Sequence, residues 1–128
     1  DLQPLERLNE WLGLADVHLL PQRADAADLV MPSKLTGMLA SGRAVLATAK
    51  PETELGRVVA QDAACGLVVP PENADTMAEA LRALAANPAR RAELGANGRR
   101  YAERELSQDV ILRRFEAQLL ALVQGDTA

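Results

Sequence analysis

Aromatic side chains are scarce in this chain: Phe, Trp and Tyr occur once each and make up 2% of the 128 residues. Hydrophobic residues nevertheless account for 48% of the sequence, so a core can form, and it must be built from Leu, Val and Ala. This aliphatic composition favours helices packed on a small parallel sheet over an aromatic-rich β-sandwich.

Cysteine and histidine are equally rare. Cys65 is the only cysteine, which excludes an internal disulfide, and nothing near it suggests an activated thiolate, so we expect a small buried side chain. His18 is the only histidine. It lies in an apolar strand with no arrangement of Cys, Ser or Asp around it, and we expect a core or strand-end position.

The chain also lacks a basic excess and a long apolar run. Its net charge of −4, from 14 basic and 18 acidic residues, argues against a nucleic-acid partner, and Arg90-Arg91 and Arg99-Arg100 are predicted to lie on solvated helix faces. No segment reaches the roughly 18 apolar residues of a membrane-spanning helix. The sequence shows no signal-peptide pattern. Because it begins at Asp1 and not at Met, we expect it to be an excised fragment of a longer chain.

Short apolar runs predict three strands, at residues 17–20, 44–47 and 66–69. Helices are predicted at residues 1–14, 33–41 and 53–61, and in three later segments that begin after the caps Asn73, Asn87 and Ser107. Strands that alternate with helices predict an α/β fold with a parallel sheet. A sheet of three strands is small, because sheets usually contain about five or six strands. Residues 1–128 are therefore predicted to form a single partial domain, one half of a doubly wound sheet with an open edge at its first strand.

The segment between the first strand and the helix at Ser33 is the best candidate for a binding site. Ligands of open α/β sheets bind beyond the carboxyl ends of the strands, and the free N–H groups of a helix N-terminus favour an anion. With Ser33 as the cap, the amides of Lys34, Leu35 and Thr36 are expected to point outward beside the Lys34 charge, as a cradle for a diphosphate. The alternative is that Pro32-Ser33 only starts a helix and that Lys34 is a surface lysine.

Residues 29–49, LVMPSKLTGMLASGRAVLATA, resemble the donor-site signature of the retaining, group 1 (family 4) glycosyltransferases. GLVVPPENAD from Gly66 and NPARRAELGANGRRY from Asn87 resemble the third strand and a late helix of the same family. Its members have two Rossmann-like domains in the GT-B architecture and hold the nucleotide-sugar mainly in the C-terminal one. The resemblance implies that this chain is the second half of that domain, with about three parallel strands flanked by helices and a helix-rich C-terminus.

Within the family, LLPQ at residues 19–22 and the PSKL and LASGR motifs are similar to colanic-acid and exopolysaccharide-type transferases. This resemblance implies a nucleotide-sugar donor, GDP-fucose in the fucosyltransferase case, and an exopolysaccharide or lipid-linked glycan acceptor. Pro32, Ser33, Lys34 and Leu35 would bind the donor diphosphate. No cofactor or metal is implied, since fixed dipoles and cations stabilise the departing diphosphate. The family also implies a cytoplasmic location, at the inner face of the plasma membrane.

The chain departs from the family pattern at two positions. Many members carry two glutamates eight residues apart, for the donor sugar and the ribose, and the register places them on Leu29 and Gly37, neither of which is acidic. Asp28 is the neighbouring carboxylate that could substitute at the sugar. The family's basic pair and its acceptor domain with a catalytic His would precede Asp1, so we expect this chain alone to hold no catalytic residue and to be inactive.

Three features keep alternatives open. Glu52 and Glu54 could act as an acid–base pair, although a turn followed by an acidic first helical turn explains them more simply. The last helix carries Arg113-Arg114 beside an apolar face, which could lie on a membrane surface, but the family favours a crossing toward the other domain. The alternative function is a non-catalytic half-Rossmann module that associates through the open strand edge.

Overall fold

A computed structural model describes residues 4–25 and 31–125 of the chain. Its centre is a parallel sheet with strand order β1–β2–β3, formed by β1 (Val17–Leu20), β2 (Ala44–Thr48) and β3 (Gly66–Val69). The register pairs Val17 with Ala44 and Val45 with Gly66. The three predicted strands are confirmed, and β2 extends one residue further, to Thr48.

Helices flank the sheet and dominate the C-terminal half. They are α1 (Leu8–Leu14), α2 (Lys34–Ala40), α3 (Glu54–Arg57), α4 (Ala74–Ala86), α5 (Pro88–Glu105) and α6 (Gln108–Gln124). A 3-10 turn at Leu5–Arg7 leads into α1, and α3 continues as a π-helical segment, Val58–Asp62. The first predicted α-helix is shorter than expected in the described part, because residues 5–7 form a 3-10 turn and α1 begins only at Leu8.

The predicted caps form as local hydrogen bonds. Asn73 and Asn87 accept from the N–H groups of Thr76 and Arg90 through their side-chain oxygens, and the Ser107 hydroxyl accepts from Val110. These are the N-cap bonds expected of Asn and Ser. The last helix ends at Gly125, whose positive φ of 76° is the left-handed conformation that favours glycine.

The two faces of the sheet carry separate hydrophobic clusters, because alternate residues of a strand point to opposite sides. The first cluster packs α2, α3 and the end of α5 on one face and includes Leu35, Leu39, Val45, Leu55 and Val59. The second packs α4 and the start of α5 on the other face and consists of Ala44, Leu46, Val69, Leu84 and Leu94. Strand β2 is buried throughout. The fold is therefore the predicted α/β arrangement, with helices on both sides of a parallel sheet.

Helix α5 joins these two layers by passing below the amino ends of β2 and β3. A Cβ atom on Gly95 would lie 2.0 Å from the carbonyl oxygen of Gly42, just before β2, and one on Gly98 would lie 3.0 Å from Cβ of Cys65. The chain needs glycine at position 95 because backbone meets backbone there. This crossing covers the amino edge of the sheet and leaves the carboxyl edge accessible.

Arginine side chains tie the ends of three helices to distant parts of the chain. Arg43 donates to the Gly13 carbonyl in α1, Arg99 to the Ala40 carbonyl at the end of α2, and Arg91 to the Leu84 carbonyl near the end of α4, at 2.6–2.7 Å. Cations beside helix C-termini complement the unpaired carbonyls there. Arg90, Arg99 and Arg100 lie on exposed helix faces, as predicted, whereas Arg91 is half-buried.

Candidate functional site at the carboxyl edge of the sheet

The chain leaves the carboxyl ends of β1, β2 and β3 in three loops, whose described residues are 21–25 and 31–33, 49–53, and 70–73. One cleft of about 410 Å³ lies between the first loop and the start of α4, and its lining includes Pro21, Arg23, Thr48 and Met77. A second cleft of about 270 Å³ lies between the second and third loops, with Lys50 and Glu52 in its wall. Open clefts at this edge are the usual ligand positions of parallel α/β sheets.

Thr48 anchors the first loop to the central strand. Its hydroxyl accepts a hydrogen bond from the Gln22 N–H at 2.6 Å and donates one to the Gln22 carbonyl at 2.7 Å. The side chain is 6% exposed, so both bonds form away from bulk water. The loop that leads toward α2 therefore starts from a fixed point beside the larger cleft.

Ser33 begins α2 but does not cap it as predicted. Its backbone is already helical, with φ −58° and ψ −26°, and its side chain makes no capping hydrogen bond. A capping serine ordinarily has an extended backbone that turns its hydroxyl toward the N–H groups of the first turn. In the observed conformation the Ser33 hydroxyl is left on the surface of the helix start.

Leu35 does not offer its amide to a ligand, contrary to the prediction. Its N–H donates to the Pro32 carbonyl at 3.0 Å, and its side chain is 3% exposed within the first cluster. Pro32 and Leu35 instead line a cavity of about 210 Å³ between α2, α3 and the end of α5, together with Glu54 and Tyr101. Pro32 and Leu35 therefore pack behind the first turn of α2 and hold it in place.

Ser33, Lys34 and Thr36 are the exposed residues of this helix start. Lys34 forms no ion pair within residues 4–25 and 31–125. Gly37 faces the preceding helix, because a Cβ atom placed on it would lie 3.6 Å from Cδ1 of Leu12. Asp28 and Leu29, predicted near the donor sugar, lie outside the described residues.

Glu54 lies in the first turn of α3, which Thr53 caps by accepting the Gly56 N–H at 3.1 Å. The predicted role of Glu54, an acidic residue at a helix start, is confirmed. Glu52 is exposed in the preceding turn and borders the smaller cleft, whereas Glu54 borders the cavity behind α2. The two carboxylates therefore line different cavities.

His18 is buried in β1, as expected of a structural histidine. Its Nε2 atom lies 3.0 Å from the Ser41 hydroxyl, which donates its own proton to the Met38 carbonyl, so Nε2 carries the hydrogen of the first bond. Burial, and then the charge of Arg43, lower the pKa of His18 below its ordinary value, and a hydrogen bond with the Leu12 backbone raises it only in part. The ring is therefore a neutral connector between β1 and α2.

Cys65 is fully buried in the first cluster, as predicted. Its Sγ atom points to the Val59 carbonyl at 3.7 Å. Burial raises the pKa of the thiol to about 11, and a protonated thiol is a poor nucleophile. The side chain is a packing element.

No group of three or more His, Cys, Asp or Glu residues among the described residues is placed to hold a metal ion. No helix of the described ranges is long and apolar enough to cross a membrane.

Residues 48–53 were expected near the cleft, and Thr48 does line it, but its hydrogen bonds to Gln22 and the backbone conformation of Glu72 were not predicted. The sequence feature that could have indicated the role of Thr48 is its hydroxyl, which stands alone at the end of an apolar strand. Glu72 has a φ of 60° in the turn before α4, a conformation uncommon for a residue with a side chain, and nothing in the sequence indicated it.

The parallel strands, the helices on both faces and the accessible carboxyl edge define one half of a Rossmann-like domain. The family model of the group 1 glycosyl transferases matches residues 2–87, and the chain belongs to this family. It is also 35% identical over 114 residues to WcaI of Escherichia coli (strain K12), whose name assigns it to colanic acid biosynthesis as a glycosyl transferase. That alignment covers 89% of this chain and 27% of WcaI, so the chain spans about a quarter of its relative's length.

Proposed function

We propose that this chain is the donor-binding half-domain of a longer glycosyl transferase and that its carboxyl edge binds the diphosphate of a nucleotide-sugar. The observation that carries this proposal is Lys34, which is exposed at the start of α2 and forms no ion pair among the described residues. A flexible ammonium group without an internal partner is suited to an anionic phosphate. Family membership supports a sugar-transfer role.

The geometry changes the composition of the proposed cradle. Since the Leu35 amide is already bonded and its side chain is buried, the groups offered to phosphate are the Lys34 ammonium and the Ser33 and Thr36 hydroxyls. A cation that faces the leaving diphosphate stabilises the charge that develops as the glycosidic bond breaks. Pro32 and Leu35 contribute by holding the helix start in place.

The finer specificity rests on the relative. WcaI carries colanic acid biosynthesis in its name, which supports an exopolysaccharide or lipid-linked glycan acceptor and, through the fucosyltransferase resemblance, a GDP-fucose donor. We further propose transfer with retention of configuration, at the cytoplasmic face of the membrane, with the acceptor held by a separate domain. These assignments extend the donor-binding proposal and depend on it.

A nucleotide titration of the 128-residue chain tests the proposal. Calorimetry with GDP, UDP and ADP and their sugar conjugates should detect binding of at least one nucleotide, and Lys34→Ala should weaken it about tenfold, equivalent to about 1.4 kcal/mol. Arg82→Ala is the matched control, because it removes an exposed cation from α4 near the opposite edge of the sheet, beside Asp16. Absence of binding by every nucleotide, or equal affinity in Lys34→Ala, contradicts the proposal.

A second candidate function is association through the edge of β1. In the described part of the chain β1 pairs with β2 on one side and with no strand on the other, and unpaired strand edges invite a further strand. If a second chain adds there, the outward amides of β1 should exchange with deuterium more slowly as protein concentration rises. Exchange that is fast at every concentration removes this candidate.

A further inference from the structure

Helix α1 is attached to the rest of the described chain at its last turn. Leu12 and Gly13 are half-buried, whereas the other five residues of α1 are exposed. Leu12 reaches α2, because a Cβ atom on Gly37 would lie 3.6 Å from its Cδ1 atom. The Gly13 carbonyl accepts a hydrogen bond from Arg43 at 2.7 Å. Since no residue of α1 belongs to either hydrophobic cluster, α1 can detach without opening the core.

His18 is the buried side chain at this attachment, with 9% of its surface exposed. Its ring makes a hydrogen bond with the Leu12 backbone, and its Nε2 atom lies 3.0 Å from the Ser41 hydroxyl. One imidazole therefore joins the last turn of α1, strand β1 and the end of α2. Helix α1 has seven residues, and a helix this short is not stable alone in water, so its structure depends on the junction.

The charges around the ring disfavour its protonated form. Burial and, next, the charge of Arg43 lower the pKa of His18 and outweigh the backbone hydrogen bond, which raises it. Of the carboxylates closest in sequence, Glu10 of α1 pairs with Arg7, and Asp16 lines a cleft at the second face of the sheet. The charge that acts on the ring is therefore one of the same sign as an added proton.

The other elements that meet at this junction bring no free carboxylate from the described residues. Helix α2 carries one charged residue, Lys34, at its far end, and strand β2 carries none. Arg99 of α5 reaches the same end of α2, where it donates to the Ala40 carbonyl, and its partner Glu103 is held in an exposed ion pair. A charged ring is therefore best stabilised by exposure to water.

We propose that protonation of His18 releases α1 from α2 and β1 while the sheet and the other helices stay folded. A released ring is hydrated and titrates near its ordinary pKa of 6.5, whereas the covered ring titrates lower. The released form therefore gains population as the pH falls below 6.5. This device concerns the amino-terminal side of β1 and does not depend on nucleotide binding.

Hydrogen–deuterium exchange of the 128-residue chain at about pH 7.5 and about pH 5.5 tests the proposal, after correction for the intrinsic pH dependence of exchange. The amides of α1 should be less protected than those of β2 and α4 at both pH values, because α1 opens without the core. Their protection should fall further at the lower pH, by up to about tenfold, since that pH lies about one unit below the pKa of the hydrated ring.

Variants at the junction connect this response to the ring. His18→Gln has no titrating group, so the corrected exchange of α1 should be the same at both pH values. Arg43→Met removes the neighbouring charge and the bond to Gly13, so α1 should exchange faster near pH 7.5 or so and respond less to acid. Arg90→Met is the matched control, because Arg90 is exposed at the start of α5, on the second face of the sheet. It should behave like the unaltered chain.

Three results would overturn the proposal. The first is protection in α1 equal to that in β2, which would mean that α1 opens only with the whole chain. The second is corrected exchange of α1 that is the same at both pH values, and the third is an acid response that persists in His18→Gln. Circular dichroism shows whether each variant folds. If His18→Gln does not fold, Arg43→Met decides, and an acid response as large as that of the unaltered chain overturns the proposal.

Discussion

The hydroxyl of Thr48 and the backbone of Gln22 form a reciprocal pair, in which Thr48 accepts from the Gln22 N–H at 2.6 Å and donates to its carbonyl at 2.7 Å. These residues are 26 positions apart, one at the end of β2 and the other just after β1. The pair fixes the direction in which the chain leaves β1. It therefore sets the starting geometry of the loop that ends at Ser33 and Lys34.

Replacing Thr48 by Val should lower the free energy of unfolding by about 2 kcal/mol, because two bonds are lost and backbone groups of Gln22 are left near a buried side chain. Urea denaturation followed by circular dichroism measures the change. Thr48→Ser keeps the hydroxyl and should retain most of the stability. Equal stabilities of the Val and Ser variants would show that the pair contributes little.

Replacing Gly95 by Ala should destabilise the chain by about 3 kcal/mol, since the new Cβ atom would lie 2.0 Å from the Gly42 carbonyl oxygen and backbone must shift to admit it. Helix propensity alone predicts the opposite sign, a gain of up to about 1 kcal/mol. Gly13→Ala in α1 is the matched control, because a Cβ atom there meets nothing within 4 Å. Thermal unfolding of both variants decides which effect dominates, and a stabilised Gly95→Ala would contradict the close crossing of α5.

Acidification should destabilise the chain through His18. Burial and the neighbouring Arg43 lower its pKa in the folded state, so the unfolded chain takes up a proton first, and stability falls as the pH drops below 6.5, the ordinary value. His18→Gln removes this contribution. The difference in unfolding free energy between the two proteins should therefore be constant above about pH 7.5. Toward pH 5, the unaltered chain should lose stability relative to His18→Gln. A difference that does not change with pH would refute the assignment.

The thiol of Cys65 should be almost unreactive in the folded chain near pH 8. Burial raises its pKa to about 11 and the side chain is fully enclosed, so both the thiolate fraction and access are small. Labelling with Ellman's reagent should be slow in buffer and rapid in 8 M urea or so, where the thiol is exposed. Rapid labelling of one thiol per chain in buffer would show that the end of the π-helical segment opens readily.

Much of the fold was predictable from the sequence because its signals are local. The caps Asn73, Asn87 and Ser107 bond to N–H groups three residues away, and short apolar runs mark the strands. At the candidate site the sequence predicted a helix start at Ser33, which the structure confirms, but not which groups there are free to bind a ligand. Whether the Leu35 amide is free depends on the Pro32 carbonyl, and the backbone angles at Ser33, not its residue type, decide whether it caps.

What the sequence by itself determined is the order of strands and helices, the family and the position of an exposed lysine at a helix start, since each depends on neighbours within a few residues. Only the tertiary structure decided that Arg99 caps α2 from 59 positions away, that α5 crosses the amino edge at Gly95, and that Thr48 bonds to the backbone of Gln22. These features depend on contacts between residues far apart in the chain, and periodicity or composition does not encode such distances.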